Sequence, residues 1–229
     1  IVFTLAAKMQ HSESFIPLEH KELSKEQSEA ATSDFYKLCD SRRSVRTFSE
    51  KEVPQHIIET IIKTAGTAPS GAHKQPWHFC AVQSAEIKSK IRKAAEKEEY
   101  ENYHGRMSDA WLEDLKKFGT NHIKPFLEIA PWLIIVFKEV YEQTKEGKST
   151  NYYVNESVGI ATGMLLNAIT CAGLVSLTHT PSPMNFLADV LNRPKNERAY
   201  LLIPVGYPEK NTVVPDIKRK DLLEIMTVY

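Results

Sequence analysis

Three cysteines in 229 residues, Cys39, Cys80 and Cys171, are odd in number, widely spaced and form no CxxC pair. That pattern excludes a disulfide framework and a cysteine-rich zinc site, and it fits a reducing compartment. Net charge is missing as well. With 29 Lys and Arg against 29 Asp and Glu, no global field draws nucleic acid or an anionic membrane, so any basic patch is local. No stretch reaches the ~20 apolar residues of a membrane-spanning helix. The apolar opening Ile1 to Ala7 is far too short, and the first residue is Ile, not Met. The expectation is a fragment or processed form, soluble as given, whose N-terminal anchor has or has not been removed. Nine glycines occur but no GxGxxG stretch, which excludes a dedicated dinucleotide-binding turn. Repeats, low-complexity tracts and linkers are absent too. With 42% hydrophobic and 25% charged residues, the chain is expected to form one α+β domain over 27–229, preceded by a flexible arm over 1–26.

Periodicity places the elements. Ala31, Phe35 and Leu38 recur at helical spacing between Ser28 and Cys39. Pro54 opens a second helix whose face carries Ile57, Ile58, Ile61 and Ile62 until Gly66. A loop from Thr67 to Trp77, with two prolines and a glycine, leads to a short strand over His78 to Val82. Ile87, Ile91 and Ala95 begin another helix. From Glu96 to Lys124 a charged run has few apolar anchors, and residues 98–124 are expected to form a mobile lid. Pro131 to Phe137 is continuously apolar, which predicts a strand covered on both faces at the sheet centre. A polar loop over Glu142 to Asn151 precedes a small-residue helix over 155–172, capped by Gly173. Leu174 to Thr178 and Tyr200 to Val205 are expected strands, with a short helix near Phe186 to Leu191 between them. Lys218-Arg219-Lys220 follows in the tail.

The densest chemistry lies at Ser41 to Phe48, where Arg42, Arg43 and Arg46 crowd around Ser44 and Val45. Arginine's rigid fork matches a phosphate bidentately, and serine and backbone N–H groups complete such a cradle. A basic helix end facing the helix dipole would need no ligand, and taken alone that reading weighs as much. Cys39 beside Arg42 is read as a partly buried structural cysteine in preference to an activated thiol. Glu99 and Tyr103, four apart, share a helix face, and Lys124 adds a cation. One carboxylate, one ammonium and a hydroxyl are what a zwitterionic amino acid needs, although a lone glutamate in such a run is ordinarily only solvated.

Three motifs together resemble the nitroreductase-like FMN flavoproteins, from about Phe35 to the end of the chain. They are Arg-Arg-Ser-Val-Arg, Thr-Ala-Pro-Ser-Gly-Ala-His followed by Gln-Pro-Trp, and Pro-Val-Gly-Tyr-Pro. Glu99, Tyr103 and Lys124 point within that family to its halotyrosine-dehalogenating branch. The resemblance implies a central mixed β-sheet flanked by helices, a domain-swapped homodimer and FMN as cofactor. It assigns FMN to Arg42, Arg43, Ser44, Val45, Arg46, Pro69, Ser70, Thr178, His179, Thr180 and Arg219. It assigns the substrate to Ala72, Glu99, Tyr103 and Lys124, with no metal. Thr180 matches the position whose hydroxyl lies near flavin N5, and the Ala72 backbone N–H would hold a phenolate; His179 stands where known members carry a threonine. The implied reaction is reductive loss of halide from mono- and diiodotyrosine, salvaging iodide, with electrons from a separate NAD(P)H-linked reductase. An NAD(P)H-dependent nitroreductase or quinone reductase would share the fold, the clamp and the dimer and differ only in the lid, and a non-enzymatic flavin-binding protein would share even the yellow colour.

Overall fold

The computed structural model describes residues 15–229; the apolar opening and most of the expected arm lie outside the described residues. The chain divides into two compact units, 1–37 and 38–229. Helix α1 (Lys25–Ser41) begins three residues earlier than its apolar spacing suggests, and takes in the last two residues of the expected arm. The reason is a capping box: Gln27 N donates to Ser24 Oγ (3.3 Å) and Ser24 N to Gln27 Oε1 (3.0 Å). No residue of α1 is buried.

The second unit is built on a four-stranded sheet, ordered β1 (Trp77–Val82), β2 (Trp132–Glu139), β6 (Glu197–Gly206), β5 (Val175–Ser176). These strands pair antiparallel, and a parallel bridge from Ser44 to Ser176 makes the sheet mixed. β2 is, with β6, one of the two inner strands, as its apolar run predicts, and its alternation feeds two cores. Ile134 and Val136, with Ile203 and Val205, pack under α2 (Gln55–Gly66) and α6 (Val154–Cys171) through Ile58, Ile61, Val158, Leu165 and Ile169. Leu133, Ile135 and Phe137 pack on the other face against α3 (Ala85–Glu101), α5 (Phe126–Ile129) and α7 (Asn185–Val190) through Ile91, Ala95, Phe126, Leu127 and Leu187. Helices on both faces explain why β2 has no polar alternation. Gly206 packs so closely on Pro131 that an added Cβ would meet its Cδ at 2.5 Å.

Three expectations need correction. The polar stretch over 142–151 is not a loop but a hairpin, β3 (Tyr141–Thr144) with β4 (Gly147–Thr150), whose turn uses Gly147 at φ 124°. The expected strand over 174–178 shrinks to two residues. Beyond Ser176, Leu177 and His179 still bond β6 at Pro204 and Leu202, but the ladder is irregular. The charged run over 96–124 is less open than its composition suggests. α3 continues to Glu101, a π-helical turn covers Asn102–Arg106, and α4 (Asp109–Lys116) follows, capped by Ser108 Oγ accepting from Trp111 N. α4 itself buries nothing.

Candidate active site

The end of α1 delivers the arginine cluster to the sheet edge. Val45 N donates to Ser176 O (3.1 Å), and Val45 is itself buried, so it contributes backbone and packing. Around this anchor Arg42, Arg43, Ser44, Arg46, Thr178 and Arg219 line a cleft of about 360 Å³, joined by Phe118 and Lys218. The guanidiniums are not equally free. Arg43 donates to the Pro215 carbonyl, and Arg219 to Asp40 and to the Arg42 carbonyl, each at 2.9 Å. Among the described residues Arg42 and Arg46 have no carboxylate partner. Burial, then Arg219 and Arg43, push Arg42 below the usual guanidinium range. Half-buried like charges without a counter-ion fit an anion, and the hydroxyls beside them fit a phosphate monoester. The cleft therefore fits the phosphate end of FMN.

The second group lies on α3 and the segment after α4. Glu99 and Lys124 form a buried ion pair, Oε2 to Nζ at 3.3 Å, with side chains only 7% and 4% exposed. Lys124 spends its other donors on Thr120 Oγ1 (3.1 Å) and the Asn121 carbonyl, and its Nζ sits 5.5 Å from the Tyr103 ring centre. The three residues singled out in the sequence thus lie together. Burial raises Glu99 above the usual carboxylate range and lowers Lys124, each partner opposing the shift. Burial also raises the Tyr103 phenol. Arg46 connects the two groups: it lines the cleft, its guanidinium lies 5.6 Å from the Phe118 ring centre, and its charge acts on Tyr103, Lys124 and His179.

His179 faces the Glu99 group. Its imidazole packs edge-on to Phe126 (5.6 Å) with Nε2 facing Glu99 Oε1 at 4.0 Å, while Thr178 lines the arginine cleft and Thr180 is exposed. Burial, then Lys124 and Arg46, push the His179 pKa down to about 3.

Pro69, Ser70 and Ala72 stand apart. Ala72, His73 and Gln75 have φ of 50°, 54° and 46°, left-handed positions costing about 1–3 kcal/mol per residue. The loop is held by Gln75 N donating to Ser70 Oγ (2.9 Å) and Gly71 N to Ser157 Oγ (3.3 Å) at the start of α6. An added Cβ at Gly71 would meet the Tyr153 ring at 2.9 Å. Among the described residues, no hydrogen bond, ion pair or ring contact joins this loop to the arginine cleft or to Glu99. Cys39 lies half-buried with Sγ 3.5 Å from Asn167 Oδ1, a structural contact.

Sequence reasoning missed Phe118, Thr120, Asn121 and Phe126 as parts of the site, because their roles depend on the segment after α4 folding back. It also missed a polar cluster of His78, Glu139 and Glu197, with ligand atoms all within 4.8 Å. There Arg193 already bonds both Glu197 oxygens at 2.7 Å, so the acidic charge is met by a protein cation.

The nitroreductase family's sequence pattern matches residues 40–207. The chain is 55% identical over 222 residues to the iodotyrosine deiodinase of Haliscomenobacter hydrossis, covering 96% of this chain and 100% of the relative. It is 47% identical to human iodotyrosine deiodinase 1 over 213 residues, 92% and 74% of the two chains. The fold is similar to the crystal structure of an oxidized iodotyrosine deiodinase bound to FMN and 3-iodo-L-tyrosine, with a TM-score of 0.72 at 30% identity over 85% of this chain and 100% of that one. A Bacteroides fragilis nitroreductase with bound FMN shares the fold at a TM-score of 0.64 and 20% identity, covering 86% and 98%.

Proposed function

The chain belongs to the nitroreductase family, and we propose that it is an FMN-dependent iodotyrosine deiodinase, removing halide reductively from mono- and diiodotyrosine. The observation that carries this reading is the buried set of Glu99, Lys124 and Tyr103 beside the arginine cleft, linked to it by Arg46. A nitroaromatic or quinone acceptor gives a buried carboxylate and ammonium nothing to recognise; an amino-acid zwitterion matches both.

Arg42, Arg43, Ser44, Arg46, Thr178 and Arg219 hold the phosphate-bearing cofactor, with Thr180 following on the same segment. Bound FMN supplies two electrons, which with a proton replace the carbon–halogen bond by carbon–hydrogen and release halide. The residues bind and orient. Glu99 takes the substrate ammonium, while Lys124 and Tyr103 take its carboxylate. An ortho halogen lowers the substrate phenol below the ~10 of tyrosine, so a phenolate is accessible near neutral pH, and the Ala72 backbone N–H holds it. The segment over 98–124 closes over the bound amino acid as a lid and excludes water.

Ala72, Pro69 and Ser70 are not joined to the cleft within one chain, so the reading includes a homodimer in which a second copy brings its loop to the site. The exposed side chains of Tyr153 and Ile160 suit such an interface. Electrons come from a separate NAD(P)H-linked reductase, since the chain carries no dinucleotide fingerprint.

The test is titration of the flavin-loaded protein with 3-iodotyrosine, followed by turnover under dithionite with tyrosine and iodide measured. Saturable quenching of flavin fluorescence and equimolar tyrosine and iodide are expected. Rapid direct NADPH oxidation with a nitroaromatic, without response to iodotyrosine, would replace this reading by the nitroreductase one.

A further inference from the structure

Two buried side-chain polar atoms lack a partner among the described residues, Asn151 Oδ1 and His179 Nε2. Only the second faces the candidate site. His179 is fixed in place: its N and O exchange bonds with Leu202 at 2.9 and 3.0 Å, and Phe126 packs edge-on to its ring. The carboxylate of Glu99 is divided, Oε2 to Lys124 at 3.3 Å and Oε1 to His179 Nε2 at 4.0 Å.

We propose that His179 is a positioning residue for Glu99, an uncharged imidazole whose Nε2–H binds Oε1 when a substrate amino acid draws the lid inward. The inference rests on the deiodinase reading and deepens it. A shift of about 1 Å brings 4.0 Å to ordinary N–H···O distance. The need for this donor follows from Lys124, whose donors go to Thr120, the Asn121 carbonyl and Glu99. Once a substrate carboxylate claims one of them, Glu99 loses hold on one side while it must stay ionised to meet the ammonium. A cationic donor at position 179 would compete with that ammonium; a neutral one orients the carboxylate and leaves its charge to the substrate. Burial and the nearby charges of Lys124 and Arg46 keep the imidazole uncharged. The other titratable groups acting with Glu99 are His122, which lowers its pKa, and Tyr103, whose phenol it raises.

The test uses the FMN-loaded protein and flavin fluorescence, with 3-iodotyrosine and 3-(4-hydroxy-3-iodophenyl)propionate, which lacks the ammonium, titrated from pH 5 to 8. His179→Leu should weaken iodotyrosine binding at least tenfold and the deamino acid less than twofold. Removing a donor to the charged form raises the Glu99 pKa. The loss of iodotyrosine affinity on acidification should therefore begin at higher pH in the variant. His179→Gln, which keeps a neutral donor, should stay within threefold of wild type, and His179→Phe repeats the apolar test should the Leu variant not fold. Iodotyrosine affinity within threefold of wild type in the apolar variants, equal loss of both ligands, or failure of Gln to rescue would overturn the role of His179 while leaving the deiodinase reading standing. A wild-type flavin that does not respond to iodotyrosine overturns both.

Discussion

Replacing Arg42 by Ala tests the cleft where its geometry is most decisive. Arg42 and Arg46 are the cleft guanidiniums with neither a hydrogen bond nor an ion pair among the described residues, whereas Arg43 is tied to the Pro215 carbonyl and Arg219 to Asp40 and the Arg42 carbonyl. A hydrogen bond to a charged group contributes about 1.5–3 kcal/mol. At ~1.4 kcal/mol per factor of ten, Arg42→Ala should weaken FMN binding roughly ten- to 150-fold. Arg219 already spends its donors within the protein, and its side chain is 52% exposed. Arg219→Ala should therefore cost less, about 0.5–1.5 kcal/mol, or roughly two- to twelvefold. Arg42→Ala should also relieve repulsion among the arginines, so the flavin-free protein should melt no lower than wild type. Fluorescence titration of stripped protein with FMN at fixed ionic strength gives both affinities, and a thermal scan gives the stability. The reasoning fails if Arg42→Ala binds FMN within threefold of wild type, or if Arg219→Ala is the more damaging change.

Glu99→Leu should strand Lys124 as an unpaired buried charge, at about 3–5 kcal/mol, with the lid opening before the core unfolds. Trypsin cleavage near Arg106 and Lys116 should rise, and Glu99→Leu/Lys124→Met should restore protection. In the FMN-loaded wild type, 3-iodotyrosine should protect those same sites; equal cleavage with and without it would refute the lid. His179, at about 3 against an ordinary 6.5, is neutral in the fold but charges in the unfolded chain. Stability should therefore fall as pH drops from 6.5 towards 3, and His179→Leu should flatten that slope by about one proton in pH-dependent denaturant unfolding. Gly206→Ala, forced against Pro131, should cost about 1–3 kcal/mol in the same unfolding assay.

Much of the fold was legible because one physical signal dominated each element. The unalternating apolar run of β2 implied cover on both faces, and the isoleucine stripe of α2 implied one buried face. The arginine cluster was legible because three guanidiniums in five residues have few structural uses. The hairpin at 141–150 was not, because both its faces are largely solvated and leave no hydrophobic alternation to read. β5 was over-read, since apolar character extends past the point where regular pairing stops. Inside the site, Glu99, Tyr103 and Lys124 were found from charge type and family resemblance, but their burial was not. A run as charged as Glu96 to Lys124 looks solvated until Glu96 accepts from Lys124 N (2.7 Å) and Arg92 bridges Glu96 and Glu128. The Lys124–Glu96 and Arg92–Glu128 contacts join residues 28 and 36 apart, beyond the reach of any local pattern.

If the segment over 98–124 is the lid proposed above, the pairing of Glu99 with Lys124 bears on selectivity. With Glu99 and Lys124 bonded to each other, the recognition groups offer an entering ligand no free charge. A phenol without the amino-acid end could reach them only by separating a buried pair, and leaving either charge unpaired costs about 3–5 kcal/mol. A zwitterion exchanges one ionic partner for another on both sides at once, so the same separation is offset group for group. Ordering the lid costs ~1–2 kcal/mol per residue, which α4, with no buried residue of its own, does not offset by packing. Since the two ionic exchanges offset the separation of the Glu99–Lys124 pair, the free energy that closes the lid on this reading comes largely from the ligand ring covering the cleft. On the reading proposed above, selectivity for a halogenated amino acid over a halogenated phenol follows from where the lid keeps its charges before the ligand arrives.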